Sequence, residues 1–342
     1  MKVKYIAPKR FEHIEIQDLL KLSESAQKFT NDGPVKKLLE AELQNVLKIQ
    51  ESNRVVCVSN GSTALHVLFY LFQKMKGRKL RWLTPAFTFP TPCIAGFDTA
   101  ICDIDLETFT IPCDQSLDDY DGIILTNLFG STVQIDYWVD RCKKEDKLCI
   151  FDNASSPMSS YRNINIMNFG DASFGSLHHT KLLGVGEGGF VVVDKAHYDE
   201  INKICNFGFN DLREFEQNSS NFKMSDISAS YILSHIRHFN FEKFGKTQNL
   251  LIERVKELKS DKFNIFMYND EAIFGNLPIL FKDPCNKEVF IEQGIEVNKY
   301  YKPLSKVSNA EMTFAKIINF PLNDQLTNEN IDVIIKGLKR YS

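Results

Sequence analysis

A chain of 342 residues is long enough to bury one large core or two modest ones. Its hydrophobic share of 43% and charged share of 25% are ordinary for a soluble globular protein and exclude collagen-like or disordered chains. The formal net charge of −3 leaves no footprint for nucleic acid or an acidic membrane surface.

The first residues, Met1-Lys2-Val3-Lys4-Tyr5, lack the apolar stretch of a secretory signal, and no run reaches the length of a membrane helix; a cytoplasmic location is expected. The first periodic segment, with Val35, Leu38, Leu39, Leu43, Val46 and Leu47 on one side, predicts a helix. Val55 to Val58 is a β-branched strand that runs through Ser59-Asn60-Gly61-Ser62-Thr63 into a second helix carrying Leu65, Leu68, Leu71 and Phe72. A helix entered that way can bind a phosphate on its free N–H groups with help from hydroxyls, or can simply be capped by Ser62 or Thr63. Short strands are predicted at Arg81-Trp82-Leu83, Ala100-Ile101-Cys102, Gly122 to Leu128 and Leu148 to Phe151. Tyr137 to Lys147 is polar enough for an exposed crossover helix. This alternation argues for an open, mostly parallel α/β sheet.

Asp152 ends the strand at Leu148–Phe151, where open α/β sheets place ligand contacts, although helix caps and turns also use aspartate there. Ala172 to Leu177 is a further strand, followed by Lys181 and by Gly184, Gly186, Gly188 and Gly189. Glycines let the backbone pass close to a bound group. A lysine held there partly out of water loses its proton more readily and can attack a carbonyl. Taken alone, the loop also fits a solvated lysine beside a glycine-rich turn. With Asp152 in the preceding unit, the fitting chemistry is a Schiff base to pyridoxal phosphate, whose ring nitrogen needs a carboxylate to stay protonated. Phe190 to Asp194 predicts a buried strand returning to the sheet. From Met224 the pattern turns helical through Ile227, Tyr231, Ile232 and Ile236, continues over Leu250 to Leu258, and closes with a helix inside Asp324 to Ser342.

Phosphate turn, aspartate and lysine occur in that order, and the chain resembles the DegT/DnrJ/StrS family of pyridoxal phosphate-dependent sugar aminotransferases. The match runs nearly end to end. It includes Phe29-Thr30-Asn31-Asp32-Gly33-Pro34, Thr84-Pro85-Ala86-Phe87-Thr88-Phe89, Asp103-Ile104-Asp105 with Thr108, Asn221 to Ala229, and Ile318-Asn319-Phe320-Pro321-Leu322 with Leu326-Thr327. The resemblance implies fold type I of these enzymes: a large domain with a mostly parallel sheet of seven-stranded type, over residues 1–235, and a smaller C-terminal α+β domain over 236–342. Lys181 would carry the Schiff base and move protons, Asp152 would pair with the pyridine nitrogen, and Phe89 would stack on the ring. Gly61, Ser62, Thr63 and Ser176 would hold the phosphate, with Asn221 reaching in from a second subunit of a homodimer.

Three positions depart from the family pattern. Ser155 stands where a longer side chain usually nears the cofactor hydroxyl, Leu177 replaces an aromatic, and His179 replaces a frequent proline. Length is missing between Phe263 and Phe314, a region that helps surround the sugar nucleotide. The implied reaction moves an amino group from L-glutamate to a nucleotide-linked keto-sugar, with a lean toward carbon 4 of a 4-keto-6-deoxy hexose, in polysaccharide or glycoconjugate biosynthesis. Two alternatives stay open. One is a dehydratase of the same family, which Lys181 argues against because some of those enzymes carry histidine in its place. The other is a non-catalytic binder of the cofactor. The eight cysteines include no close Cys-x-x-Cys pair, so no metal is expected, and reduced thiols are. His235 and His238 lie three apart with no partner that would complete a metal site.

Overall fold

A computed structural model describes residues 2–94, 96–132 and 134–341. Two helices, α1 (His13–Ser25) and α2 (Pro34–Val46), precede the first strand, β1 (Asn53–Val58), and helix α3 (Gly61–Lys76) follows it. Strands β2 (Arg81–Pro85), β3 (Asp98–Cys102) and β4 (Gly122–Thr126) lead to helix α4 (Ile135–Lys144) and strand β5 (Leu148–Asp152). Strands β6 (Ala172–Ser176) and β7 (Gly189–Asp194) complete a seven-stranded sheet in the order β1-β7-β6-β5-β4-β2-β3. Only β7 runs against its neighbours, pairing antiparallel with both β1 and β6. The pairs β2–β3, β2–β4, β4–β5 and β5–β6 are parallel.

Alternation along each strand divides the interior into two sides, because successive residues of a strand face opposite ways. Val56, Val58, Ile124, Ile150, Phe174 and Val191 enter one core with the apolar face of α3 and with helix α5 (Tyr198–Cys205). Val55, Cys57, Phe190 and Val192 face the other side with α2 and helix α6 (Asp226–His238). Ile123, Leu125, Cys149 and Phe151 on that side pack with Trp138 of α4. A mostly parallel sheet has to be covered on both faces in this way.

Helix α7 (Phe241–Lys256) leads into an antiparallel three-stranded sheet of β8 (Phe263–Ile265), β9 (Leu277–Phe281) and β10 (Ile317–Phe320). Helices α8 (Ser308–Lys316) and α9 (Asn328–Lys339) complete the chain. The expected domain boundary at 235/236 falls inside α6. The segment predicted as one strand over Gly122 to Leu128 ends instead at Thr126, and Phe129 takes a φ of 60° in a short 3₁₀ turn. The Asn127 N–H still makes the last ladder bond to the Asp152 carbonyl, at 3.0 Å, and its side chain donates to Asn153 Oδ1 at 2.6 Å before the turn begins. The helix predicted as an exposed crossover starts earlier, at Ile135, and buries Ile135, Trp138 and Cys142.

Asp226 ties the N-terminal helices to the rest. Its buried carboxylate accepts from Ser23 Oγ at 2.6 Å, from the Lys36 N–H at 2.9 Å and from the Val35 N–H at 3.1 Å, so it caps α2 from 190 residues away. A Cβ on Gly33 would lie 2.3 Å from that carboxylate. The Gly33-Pro34 and Ser225-Asp226 motifs are therefore two halves of one contact.

Candidate active site

Ligands of open α/β sheets gather at the carboxyl ends of the parallel strands. Here β1 ends in the Asn60-Gly61-Ser62 turn, β2 leads to Phe89, β5 ends at Asp152 and β6 ends at Ser176. All of these residues line one cavity of about 600 Å³, together with Ser155, His178 and Lys181.

The phosphate turn is organised by a reciprocal cap. Asn60 Oδ1 accepts from the Thr63 N–H at 2.9 Å, and Thr63 Oγ1 accepts from the Asn60 N–H at 3.0 Å. These bonds occupy Thr63, whose side chain does not reach the cavity, and leave the N–H groups of Gly61 and Ser62, in the first turn of α3, without intrahelical partners. The turn sits against β7: a Cβ on Gly189 would lie 2.3 Å from the Asn60 carbonyl carbon and oxygen. Ser176 closes the cradle, since a Cβ on Gly61 would meet its Cβ at 3.1 Å, and its hydroxyl accepts from the His178 N–H at 3.3 Å.

Asp152 is 3% exposed. One carboxylate oxygen accepts from the Ala154 N–H at 2.9 Å, and no donor among the described residues pairs with the other. Burial pushes the carboxyl up to about 6, against the pull of the Ala154 N–H and of the nearby Lys181 amine. Burial lowers the Lys181 amine, and Asp152 partly offsets this. No hydrogen bond or ion pair holds that amine among the described residues, whereas the backbone around it is fixed. The Lys181 N–H donates to His178 O at 2.8 Å, and its carbonyl accepts from Lys9 Nζ at 2.6 Å and from the Gly184 N–H at 3.2 Å.

Phe89 is 53% exposed and stands at the cavity mouth. Ser155 Oγ lies 3.5 Å from Tyr301 Oη, at the edge of hydrogen-bonding range. Asn221 is exposed and away from the cavity of its own chain. Its segment nevertheless runs beside the phosphate turn: Lys223 bridges to Val58, and Phe222 O accepts from the Ser59 N–H at 2.8 Å.

Several cavity residues carry no local signal in the sequence. Tyr5 to Lys9, His235, Tyr300, Tyr301, Asn323 and Asp324 reach the wall from both ends of the chain and from α6. His235 is buried, and its Nε2 donates to Leu182 O at 2.8 Å while Nδ1 accepts from the Arg10 N–H at 3.2 Å. That ring braces the lysine loop, and burial keeps it neutral by lowering its pKa. His238 instead lies 2.9 Å from Ser234 O through Nδ1.

The donor set fits pyridoxal phosphate. Free N–H groups and a hydroxyl converge at one end, and a buried carboxylate with an unpaired oxygen waits at the other. An uncommitted amine lines the same cavity. The family model of the DegT/DnrJ/EryC1/StrS aminotransferases matches residues 11–339. The chain belongs to that family. It is an aminotransferase-family enzyme, and pyridoxal phosphate is its cofactor.

Among relatives, the dTDP-4-amino-4,6-dideoxy-D-glucose transaminase of Shigella dysenteriae is 22% identical over 92% of each chain. The Helicobacter pylori aminotransferase PseC, involved in pseudoaminic acid biosynthesis, superposes with a TM-score of 0.82 at 18% identity, covering 100% of this chain and 99% of that one. The Escherichia coli GDP-4-keto-6-deoxy-D-mannose-3-dehydratase, solved with bound hydrated pyridoxal phosphate, gives 0.81 at 18% identity over 99% of this chain and 100% of its own. At such identities structural likeness speaks to fold, and this fold serves both amination and dehydration. Among the described residues no helix is long and apolar enough to cross a membrane.

Proposed function

We propose that the protein transfers an amino group from L-glutamate to a nucleotide-linked keto-sugar, with carbon 4 of a 4-keto-6-deoxy hexose as the preferred acceptor, as a cytoplasmic homodimer supplying polysaccharide or glycoconjugate synthesis. The carrying observation is that Lys181, Asp152 and the first turn of α3 line one cavity. Bound there, pyridoxal phosphate supplies an electron sink for the carbon that loses its proton and carries the amino group between the two substrates. Gly61 and Ser62 bind its phosphate through their N–H groups, as helix N-termini do, and Ser176 adds a hydroxyl. Thr63 acts through the Asn60 cap that shapes the turn. Phe89 covers a ring face.

Asp152 holds the proton on the pyridine nitrogen. Its buried, raised carboxyl is costly while unpaired and is relieved by a positive partner. Lys181 Nζ takes the proton from the donor's α-carbon and later returns one. Desolvation favours the neutral amine this requires. Ser155 and Tyr301 stand together on the cavity wall, Ser155 at the position that the family resemblance sets beside the cofactor's hydroxyl.

The presence of Lys181 favours amination over dehydration. The test is incubation with pyridoxal phosphate, L-glutamate and a panel of nucleotide keto-sugars, read by product mass and cofactor absorbance. Amination exchanges the ketone oxygen for an amine, and the cofactor band fades with glutamate and returns with acceptor. A dehydrated product would establish the other reading, and no product from any acceptor would reject both.

A further inference from the structure

The cavity wall carries a cation with no part in the chemistry of Lys181 and Asp152. Lys9, in the segment before α1, lines the cavity and is half-buried, and its Nζ reaches across to donate to the carbonyl of Lys181 at 2.6 Å. No carboxylate lies within ion-pair distance of it among the described residues. Its neighbour Arg10 takes the nearest candidate, with Nη2 3.0 Å from Asp324 Oδ2. No arginine lines the cavity, and the other side chains there that can be cationic are already engaged. Lys181 belongs to the chemistry, both ring nitrogens of His235 are bonded to backbone, and His178 sits between Thr180 and Glu187.

The substrates of the proposed reaction are anions: an amino acid carries carboxylates and a sugar nucleotide carries a diphosphate. A cation kept partly out of water without a counter-ion is expensive to maintain, and an arriving anion removes that cost. We infer that Lys9 is the substrate-anion anchor of this site, receiving a carboxylate or phosphate oxygen on Nζ at the wall beside Lys181. This rests on the functional reading above, and the bond to the Lys181 carbonyl is the resting contact of the free site.

Titration gives the anchor a signature. Burial lowers the Lys9 amine to about 8, partly offset by Asp324. The groups facing it are Asp324, His179 and His235. Burial pushes both histidines below their ordinary value, so they stay neutral above pH 7. A protonated amine holds an anion and a neutral one does not, so affinity is present below pH 8 and falls as pH rises through that value.

The experiment titrates the holoenzyme by calorimetry with maleate, a dicarboxylate, and separately with dTDP, a nucleoside diphosphate, at pH 7 and pH 9.5. In Lys9→Met, one or both anions should bind at least tenfold more weakly at pH 7, with cofactor content unchanged. The arm that fails identifies the source: maleate for the amino-acid carboxylate, dTDP for the diphosphate. In wild type the same arm should weaken between pH 7 and 9.5, whereas Lys9→Arg should hold its affinity at both, which separates Lys9 from any titration of Lys181. Unchanged affinity for both anions in Lys9→Met overturns the inference. So do loss of cofactor from that variant and a pH response that persists in Lys9→Arg. If Lys9→Met does not fold, the wild-type and Lys9→Arg profiles decide alone. An enzyme that passes these tests yet aminates no keto-sugar keeps its anion anchor and loses the functional reading instead.

Discussion

At the scale of single residues, the site stores its cost in Asp152. Its carboxyl is raised from 3.8 to about 6 by burial, so folding disfavours the charged form. The associated stability is fully present below pH 3.8 and is lost as pH rises through 6. Two units correspond to about 3 kcal/mol as an order of magnitude. Asp152→Asn keeps the acceptor for the Ala154 N–H and removes the charge. The cofactor-free variant should therefore be more stable than wild type by up to about 3 kcal/mol at pH 8, and equal to it near pH 4. Its turnover should fall by orders of magnitude, because nothing then holds the proton on the ring nitrogen. Denaturant unfolding at the two pH values, paired with a transamination assay, checks both halves. A variant that is active at pH 8 and no more stable than wild type would remove Asp152 from the site.

At the scale of elements, the phosphate turn packs against the start of β7 so closely that Gly189 has no room for a side chain. β7 returns antiparallel beside β1, and its first residue, Gly189, pairs with Val58 just before the turn. An added methyl there would lie 2.3 Å from the Asn60 carbonyl and 2.5 Å from the Gly61 nitrogen. These are backbone atoms, which cannot swing aside, so the cap and the two free N–H groups must shift together. Gly189→Ala should weaken cofactor binding at least tenfold and cost about 1–3 kcal/mol of stability from overpacking. Equilibrium dialysis with pyridoxal phosphate measures the first and chemical unfolding the second. Gly186, in the same loop, has a φ of 64° and open space at its Cβ, so its need for glycine is conformational.

For the whole molecule, the surface around Asn221 is unfinished in one chain. Leu212 is 79% exposed and Phe215 74%, with Phe207 and Phe209 half-exposed nearby. Apolar side chains gathered on one segment favour contact with another copy. In the proposed dimer Asn221 donates to the partner's phosphate site. Neither Lys181→Ala nor Asn221→Ala should support normal turnover alone. Mixing the two under conditions of subunit exchange should restore activity, because one site of the mixed dimer then receives Lys181 from one protomer and Asn221 from the other. Demonstrated exchange with no activity above that of the parents would place Asn221 outside the partner's site.

The sequence by itself determined the class of sheet, through strands alternating with amphipathic helices, and it marked Asp152, Lys181 and the Asn60–Thr63 turn. Those features are local: a period of two, a strand end, a run of glycines and a cap each depend on neighbouring residues. Helix α1 buries Ile16 and Leu19 while Ile14 and Leu22 stay exposed, so its apolar residues mark no single face in the sequence. Tertiary structure decided which residues meet. It set Asp226 against the start of α2 and brought Lys9 and Tyr301 to the cavity wall beside Lys181 and Ser155. No local pattern could announce these contacts, because each joins segments separated by tens to hundreds of residues, and closure of the core, which rewards total burial, selects among them.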